Sequence, residues 1–132
     1  MKRWMIYVLG VVVIFIIGYM VFNNEDGKQR EVKLIAEYQA IKHPEGAKQV
    51  YYKLNRKIIK RWINSRYIYP ISNNEVKEYY DQELVDKGWQ QVPAPSIPGD
   101  VLYRYAKDNL ILELKLNKNN WILHMSYEDA KY

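Results

Sequence analysis

Between Trp4 and Phe22 the chain reads Trp-Met-Ile-Tyr-Val-Leu-Gly-Val-Val-Val-Ile-Phe-Ile-Ile-Gly-Tyr-Met-Val-Phe, with no charged side chain. As a helix rising about 1.5 Å per residue, this run covers close to the ~30 Å hydrocarbon core of a bilayer. It predicts a membrane-spanning helix. A cleaved signal peptide shares the basic start, but its apolar stretch is shorter and ends in small residues, whereas Tyr19-Met20-Val21-Phe22-Asn23-Asn24 offers no cleavage site. An uncleaved signal anchor is expected. Lys2 and Arg3 precede the run, and the positive-inside rule places them in the cytoplasm and everything after Asn23 outside. Lys28, Arg30 and Lys33 follow closely, interleaved with Glu25, Asp26 and Glu31. Trp4 with Tyr7, and Tyr19 with Phe22, suit the two interfaces. Gly10 and Gly18 do not form the four-spaced motif of close helix dimers, so a plain single-pass anchor is read.

The remainder has room for one core. The whole chain has 20 basic and 15 acidic residues, which becomes 18 against 15 beyond the apolar run, too mild for a dedicated polyanion binder. Nucleic acid is not an expected partner. With no cysteine, disulfides, thiolate metal sites, a cysteine nucleophile and a lipidated cysteine are all excluded. Two histidines, His43 and His124, in unlike contexts do not make a histidine-rich metal cluster, and no cofactor is implied.

Asn23 to Lys28 reads as a polar hinge. Val32, Ile35, Tyr38, Gln39 and Ile41 recur at roughly helical spacing, predicting a stalk helix over Glu31 to Lys42 that ends at His43-Pro44-Glu45-Gly46. Lys48 to Tyr69 predicts two strands turning near Asn55-Arg56 and closed by Pro70. Ser72-Asn73-Asn74-Glu75 has the form of a capping box; Val76, Tyr79, Tyr80, Leu84 and Val85 follow at helical spacing, and Gly88 ends the helix. Trp89 to Val92 reads as a short strand and Pro93 to Gly99 as a loop. Three alternating runs come last: Val101 to Ala106; Leu110, Leu112, Leu114 and Leu116; and Trp121, Leu123, Met125 and Tyr127. Turns at Asp108-Asn109 and Asn117 to Asn120 would join them into an antiparallel meander, its leucines inward and Glu113, Lys115, His124 and Ser126 outward or at the rim. The fold class is α+β: a transmembrane helix, then a two-layer domain with an antiparallel sheet of about five strands and a helix on one face. The expected divisions are residues 1–22 for the anchor, 23–46 for hinge and stalk, and 47–132 for the extracytoplasmic domain.

The most suggestive surface is a run of cations, with no acid between Glu45 and Glu75, mixed with aromatic residues. Lys53, Arg56, Lys57, Lys60, Arg61, Trp62 and Arg66 form the candidate anion- or partner-binding surface, since such groups can grip phosphates and stack on rings. The competing reading is a solvated face with lysine-protected edges, its charge balanced by the acidic helix after Ser72. Tyr79, Tyr80 and Trp89 suit core packing; His124 reads as a lone surface histidine and His43 as a helix-end residue. There is no nucleophile elbow, phosphate-cradling glycine loop or zinc-protease motif, so no catalytic residue is assigned.

From Pro44-Glu45-Gly46-Ala47 through the capped helix to Tyr79-Tyr80, Leu84 and Gly88-Trp89, the chain resembles small membrane-anchored α+β proteins of Gram-positive bacteria. That resemblance implies a surface-anchored fold and supplies no active site. The expected function is a non-enzymatic, membrane-tethered extracytoplasmic module that contacts anionic lipid, a wall polymer or an envelope protein. The alternative is an envelope-associated enzyme of an unrecognised type, which requires a pocket with converging polar groups.

Overall fold

The computed structural model describes residues 2–22, 25–57, 60–68 and 71–128. Helix α1 (Lys2–Phe22) is the one helix, among the described residues, long and apolar enough to cross a membrane. Nothing in its spanning window is buried against the rest of the protein. Apolar side chains left this exposed are costly in water, and a membrane anchor and a signal sequence share that property.

Helix α2 (Glu25–Ala40) is followed by β1 (Lys48–Lys57), β2 (Lys60–Ile68), α3 (Asn73–Asp86), β3 (Gln90–Val92), β4 (Val101–Lys107), β5 (Leu110–Leu116) and β6 (Asn120–Tyr127). The six strands form one antiparallel sheet in the order β1-β2-β6-β5-β4-β3, one strand more than expected. β6 closes the meander by pairing with β2, so α3 carries the chain from β2 to the opposite edge. β5 and β6 alternate strictly between buried and half-buried positions, the period-two pattern their sequence predicts. Their inward residues, Leu110, Leu112, Leu114, Leu116, Trp121, Leu123, Met125 and Tyr127, join Ile63, Tyr67 and Tyr105 under the helices. Both α2 and α3 cover this face.

α2 is not a free stalk. Leu34, Tyr38 and Ile41 are buried in the same core as the sheet, whereas Val32, expected on the apolar stripe, is 68% exposed. The compact unit thus begins within α2 rather than at residue 47. The β1–β2 reversal also lies beyond the expected Asn55-Arg56: both strands continue until Lys57 pairs with Lys60. Arg56 and Arg61, opposed in that register, share Glu31 of α2, which removes the like-charge penalty that would otherwise end the pairing early. Of the expected hinge, Asn23 and Asn24 lie outside the described residues, as do Tyr69 and the strand-closing Pro70, whereas Glu25 to Lys28 are not a hinge but the first turn of α2, which starts six residues before the expected Glu31.

α3 carries the signals its sequence predicts. The Ser72 hydroxyl accepts from the Glu75 amide at 3.2 Å. At the other end, the Trp89 amide donates to Leu84 O at 2.8 Å and the Gly88 amide to Val85 O at 3.0 Å, with Gly88 at φ 90°. This Schellman geometry needs a left-handed residue at Gly88 and turns Trp89 into the core, so β3 starts at Gln90. Ser72→Ala is expected to cost about 1 kcal/mol, seen as a thermal midpoint lower by several degrees in circular dichroism.

Candidate functional site

The seven cationic and aromatic candidates divide between the two faces of the sheet. Ile63, Ser65 and Tyr67 of β2 are buried beneath the helices, so alternation carries Arg61 and its partner Arg56 to that side. There Arg56 binds Glu31 through Nε and Nη2 at 2.9 and 2.6 Å, and Arg61 Nε reaches the same carboxylate at 2.9 Å. These hydrogen bonds, Arg56's foremost, hold the Glu31 carboxyl at about 2. The acids of α3 do not take this part: Glu83 accepts the Lys42 amide, and Asp81 receives Lys77 and Tyr105. Because Glu31 is lowered from 4.5, its contribution is fully present above that value and is lost as pH falls towards 2. Glu31→Gln is expected to cost about 1 kcal/mol at neutral pH in urea unfolding and to abolish this acid-side loss.

Lys53, Lys57, Lys60, Trp62 and Arg66 fall on the opposite face, which no helix among the described residues covers. In register, Lys57 opposes Lys60, Trp62 opposes Asn55, and Arg66 opposes Tyr51. β1, β2 and β6 carry no acidic residue at all. This part of the sheet is therefore a cationic surface bearing Tyr51 and Trp62. Glu31 lies in the second turn of α2, so the hairpin end it fastens, with Lys57 and Lys60, is the end of the domain where the chain arrives from α1.

The other half of the open face differs in character. Register sets Arg104 of β4, Glu113 of β5, His124 of β6 and Asn64 of β2 directly opposite one another, so four strands contribute one polar row. Arg104 Nη2 approaches Glu113 Oε2 at 3.4 Å, and His124 Nδ1 lies 2.6 Å from Asn64 Oδ1. Burial pushes the His124 pKa down, against the upward pull of Glu113. The row borders a depression of about 390 Å³ lined by Val92, Pro93, Arg104, Glu113, Ser126 and Glu128, among others. The outward phase of His124, Glu113 and Ser126 agrees with the sequence reading. The solitary His124 does not: its neighbours are distant in sequence and meet it only through strand register.

His43 also has a different setting from the one expected. Its Nδ1 lies 2.8 Å from the Tyr80 hydroxyl and its Nε2 lies 3.1 Å from the Tyr67 hydroxyl, while its ring stacks on Tyr67 at 4.2 Å. Trp121 Nε1 donates to Tyr80 Oη at 2.9 Å. An indole nitrogen only donates, so the Tyr80 hydroxyl accepts there and gives its proton to His43 Nδ1. Hydrogen-bond logic then assigns the imidazole proton to Nε2, facing Tyr67, whose hydroxyl can donate to Gln49 Oε1 at 3.2 Å. Tyr38 completes the chain, 2.6 Å from Ser65 Oγ and 2.5 Å from Tyr67 Oη. Burial lowers the His43 pKa to about 4 and raises those of the three tyrosines. The network joins α2, the segment after it, α3, β2 and β6, and its groups are directed at one another. Its role is architectural.

Among the described residues no group of His, Cys, Asp or Glu is placed to hold a metal ion. Compared with protein-family models, curated proteins and solved structures, the chain matches none.

Proposed function

We propose that this chain is a membrane-tethered extracytoplasmic binding module whose cationic hairpin engages phosphate-bearing groups at the outer membrane face. Helix α1 serves as the uncleaved anchor, with Lys2 and Arg3 in the cytoplasm. The observation that carries the reading is the placement of Lys53, Lys57, Lys60 and Arg66 on the open face of β1 and β2, two strands that, like the neighbouring β6, carry no carboxylate, towards the end of the domain that receives the chain from α1. Basic groups held near an anionic surface contribute about 1 kcal/mol each and lose it at high salt. Tyr51 and Trp62 add the amphipathic rings that suit an interface. The resemblance to Gram-positive surface-anchored proteins points the same way.

Anionic headgroups and wall-polymer phosphates share this chemistry, and separate assays tell them apart. The full chain in phosphatidylcholine nanodiscs is expected to be retained by phosphatidylglycerol liposomes, by phosphate-bearing wall material, or by both, at low salt. K53E/K57E/K60E is expected to weaken that retention at least tenfold. Unchanged retention would remove the cationic surface as the binding element. Arg61 is a poor choice for this test, because its loss would disturb the Glu31 clamp. Protease added to intact cells should remove a C-terminal tag and leave a small membrane fragment; a protected tag would overturn the exported orientation.

The competing reading, an envelope-associated enzyme, draws on the convergence of Arg104, Glu113 and His124 beside one depression. It would require turnover that Glu113→Gln or His124→Gln abolishes while the fold survives.

A further inference from the structure

The depression on the open face has a charge pattern that the cationic hairpin does not explain. Arg104 Nε is buried and has no hydrogen-bond partner, while the same guanidinium reaches Glu113 only at 3.4 Å. The guanidinium also lines the depression, and with one long contact to a carboxylate its fork retains capacity for a further oxygen acceptor. A plain anion meets Glu113 and Glu128 in the same lining. An apolar ligand would give the guanidinium no acceptor beyond Glu113. The complement of one cationic fork beside two carboxylates is a molecule with an oxyanion and an ammonium a few bonds apart.

We propose that this depression binds a small zwitterion with the chemistry of phosphoethanolamine, its phosphate on the Arg104 fork and its ammonium between Glu113 and Glu128. Ser126 can supply a further hydroxyl to the phosphate. A primary ammonium suits two carboxylates because its three N–H groups can be shared, whereas a trimethylated one has none to give. The site also lies where such a headgroup would be found. Tyr127, next to Glu128, donates its hydroxyl to the Arg30 carbonyl of α2 at 2.8 Å, and Lys33 of α2 contacts Asp108 at the β4–β5 turn. This is the same end of the domain as the cationic hairpin. Phosphatidylethanolamine in the surrounding membrane is the source favoured by that position, and free phosphoethanolamine is the other. Only the choice of source rests on the tethered reading; the ligand chemistry rests on the depression itself.

The test titrates the full chain, in phosphatidylcholine nanodiscs, with O-phosphoethanolamine, followed by calorimetry. Saturable binding is expected, with inorganic phosphate and ethanolamine each at least tenfold weaker. Arg104→Gln and Glu113→Gln are each expected to weaken binding at least tenfold. Glu128→Gln, at an exposed position where the fold is not in question, should weaken phosphoethanolamine several-fold and leave phosphate unweakened. Lys118→Glu, in the β5–β6 turn, should leave the titration as it was. Replacing the nanodisc lipid with phosphatidylethanolamine should shift the free titration to higher concentration if the headgroup occupies the site, and an unshifted titration assigns it to the free zwitterion. Absence of saturable binding, equal binding of phosphate alone, or a normal titration by the Glu128 and Arg104 variants would overturn the proposal. A protected tag in the topology experiment would instead overturn export and leave this result standing.

Discussion

Trp121→Ala is expected to destabilise the folded domain by about 4 kcal/mol, a large part of the ~5–15 kcal/mol that holds a domain of this size together. The indole is buried, stacks on Tyr67 at 5.9 Å and 17°, and meets the edge of Tyr80 at 6.3 Å. Removing it opens a cavity where β6, β2 and α3 converge and strips the Tyr80 hydroxyl of its donor. The surrounding Tyr38, Tyr67 and Tyr80 are fixed by their own hydrogen bonds, so they cannot readily collapse into the space. Trp121→Phe separates the two terms. It keeps most of the packing and loses only the N–H, so about 1–2 kcal/mol is expected. The measurement is urea unfolding of the full chain followed by far-ultraviolet circular dichroism. An alanine variant within 1 kcal/mol of the wild type would show that these aromatic contacts do not support the core.

The elements most legible in the sequence were those whose signal is local. Leu110 to Leu116 and Trp121 to Tyr127 alternate strictly because each strand has one face under helices and one uncovered. Ser72 and Gly88 mark the limits of α3 because capping uses residues within a turn of each end. What escaped the sequence is non-local. Nothing in β6 states that its second neighbour is β2, yet that pairing brings Asn64 to His124 and makes a polar row from residues otherwise read as scattered. The expected stripe of α2 names Tyr38 and Ile41, which are buried, but takes Val32 for an inward position in place of Leu34, because both are apolar and only the sheet decides which faces inward. The candidate cations were correctly located on β1 and β2. Their division into a buried-side clamp and an open-face set followed from alternation, but the reason Arg56 and Arg61 can oppose one another is a glutamate 25 residues before Arg56. The hairpin was expected to turn early because Asn55-Arg56 is the polar break in the run, and that expectation could not include Glu31.

The second large effect is the response to acid. His43 is held at about 4 chiefly by burial, and its surroundings add a specific reason. Tyr80 already accepts from Trp121 and donates to His43 Nδ1. A proton placed on Nδ1 would make two donors converge on Tyr80 Oη and leave the hydroxyl proton without its acceptor. The sign follows from the direction of the shift. The unfolded chain takes up the proton near 6.5 and the folded one only near 4, so the stabilising effect of neutral His43 is complete above 6.5 and disappears as pH falls through that interval. The expected loss is on the order of 2 kcal/mol, after allowance for the ring's partial exposure. His124 is also pushed down by burial and contributes to the same window, whereas Glu31 acts only below 4.5. Urea unfolding from pH 7.5 to 4.5 should therefore slope in the wild type, slope less in His43→Gln, and be nearly level in His43→Gln/His124→Gln. The variants begin from a lower stability at pH 7.5, since each loses ring contacts, so the slope and not the absolute value is the readout. An unaltered slope in the double variant would place the acid sensitivity in the carboxylates and undo the assignment of a neutral imidazole between Tyr67 and Tyr80.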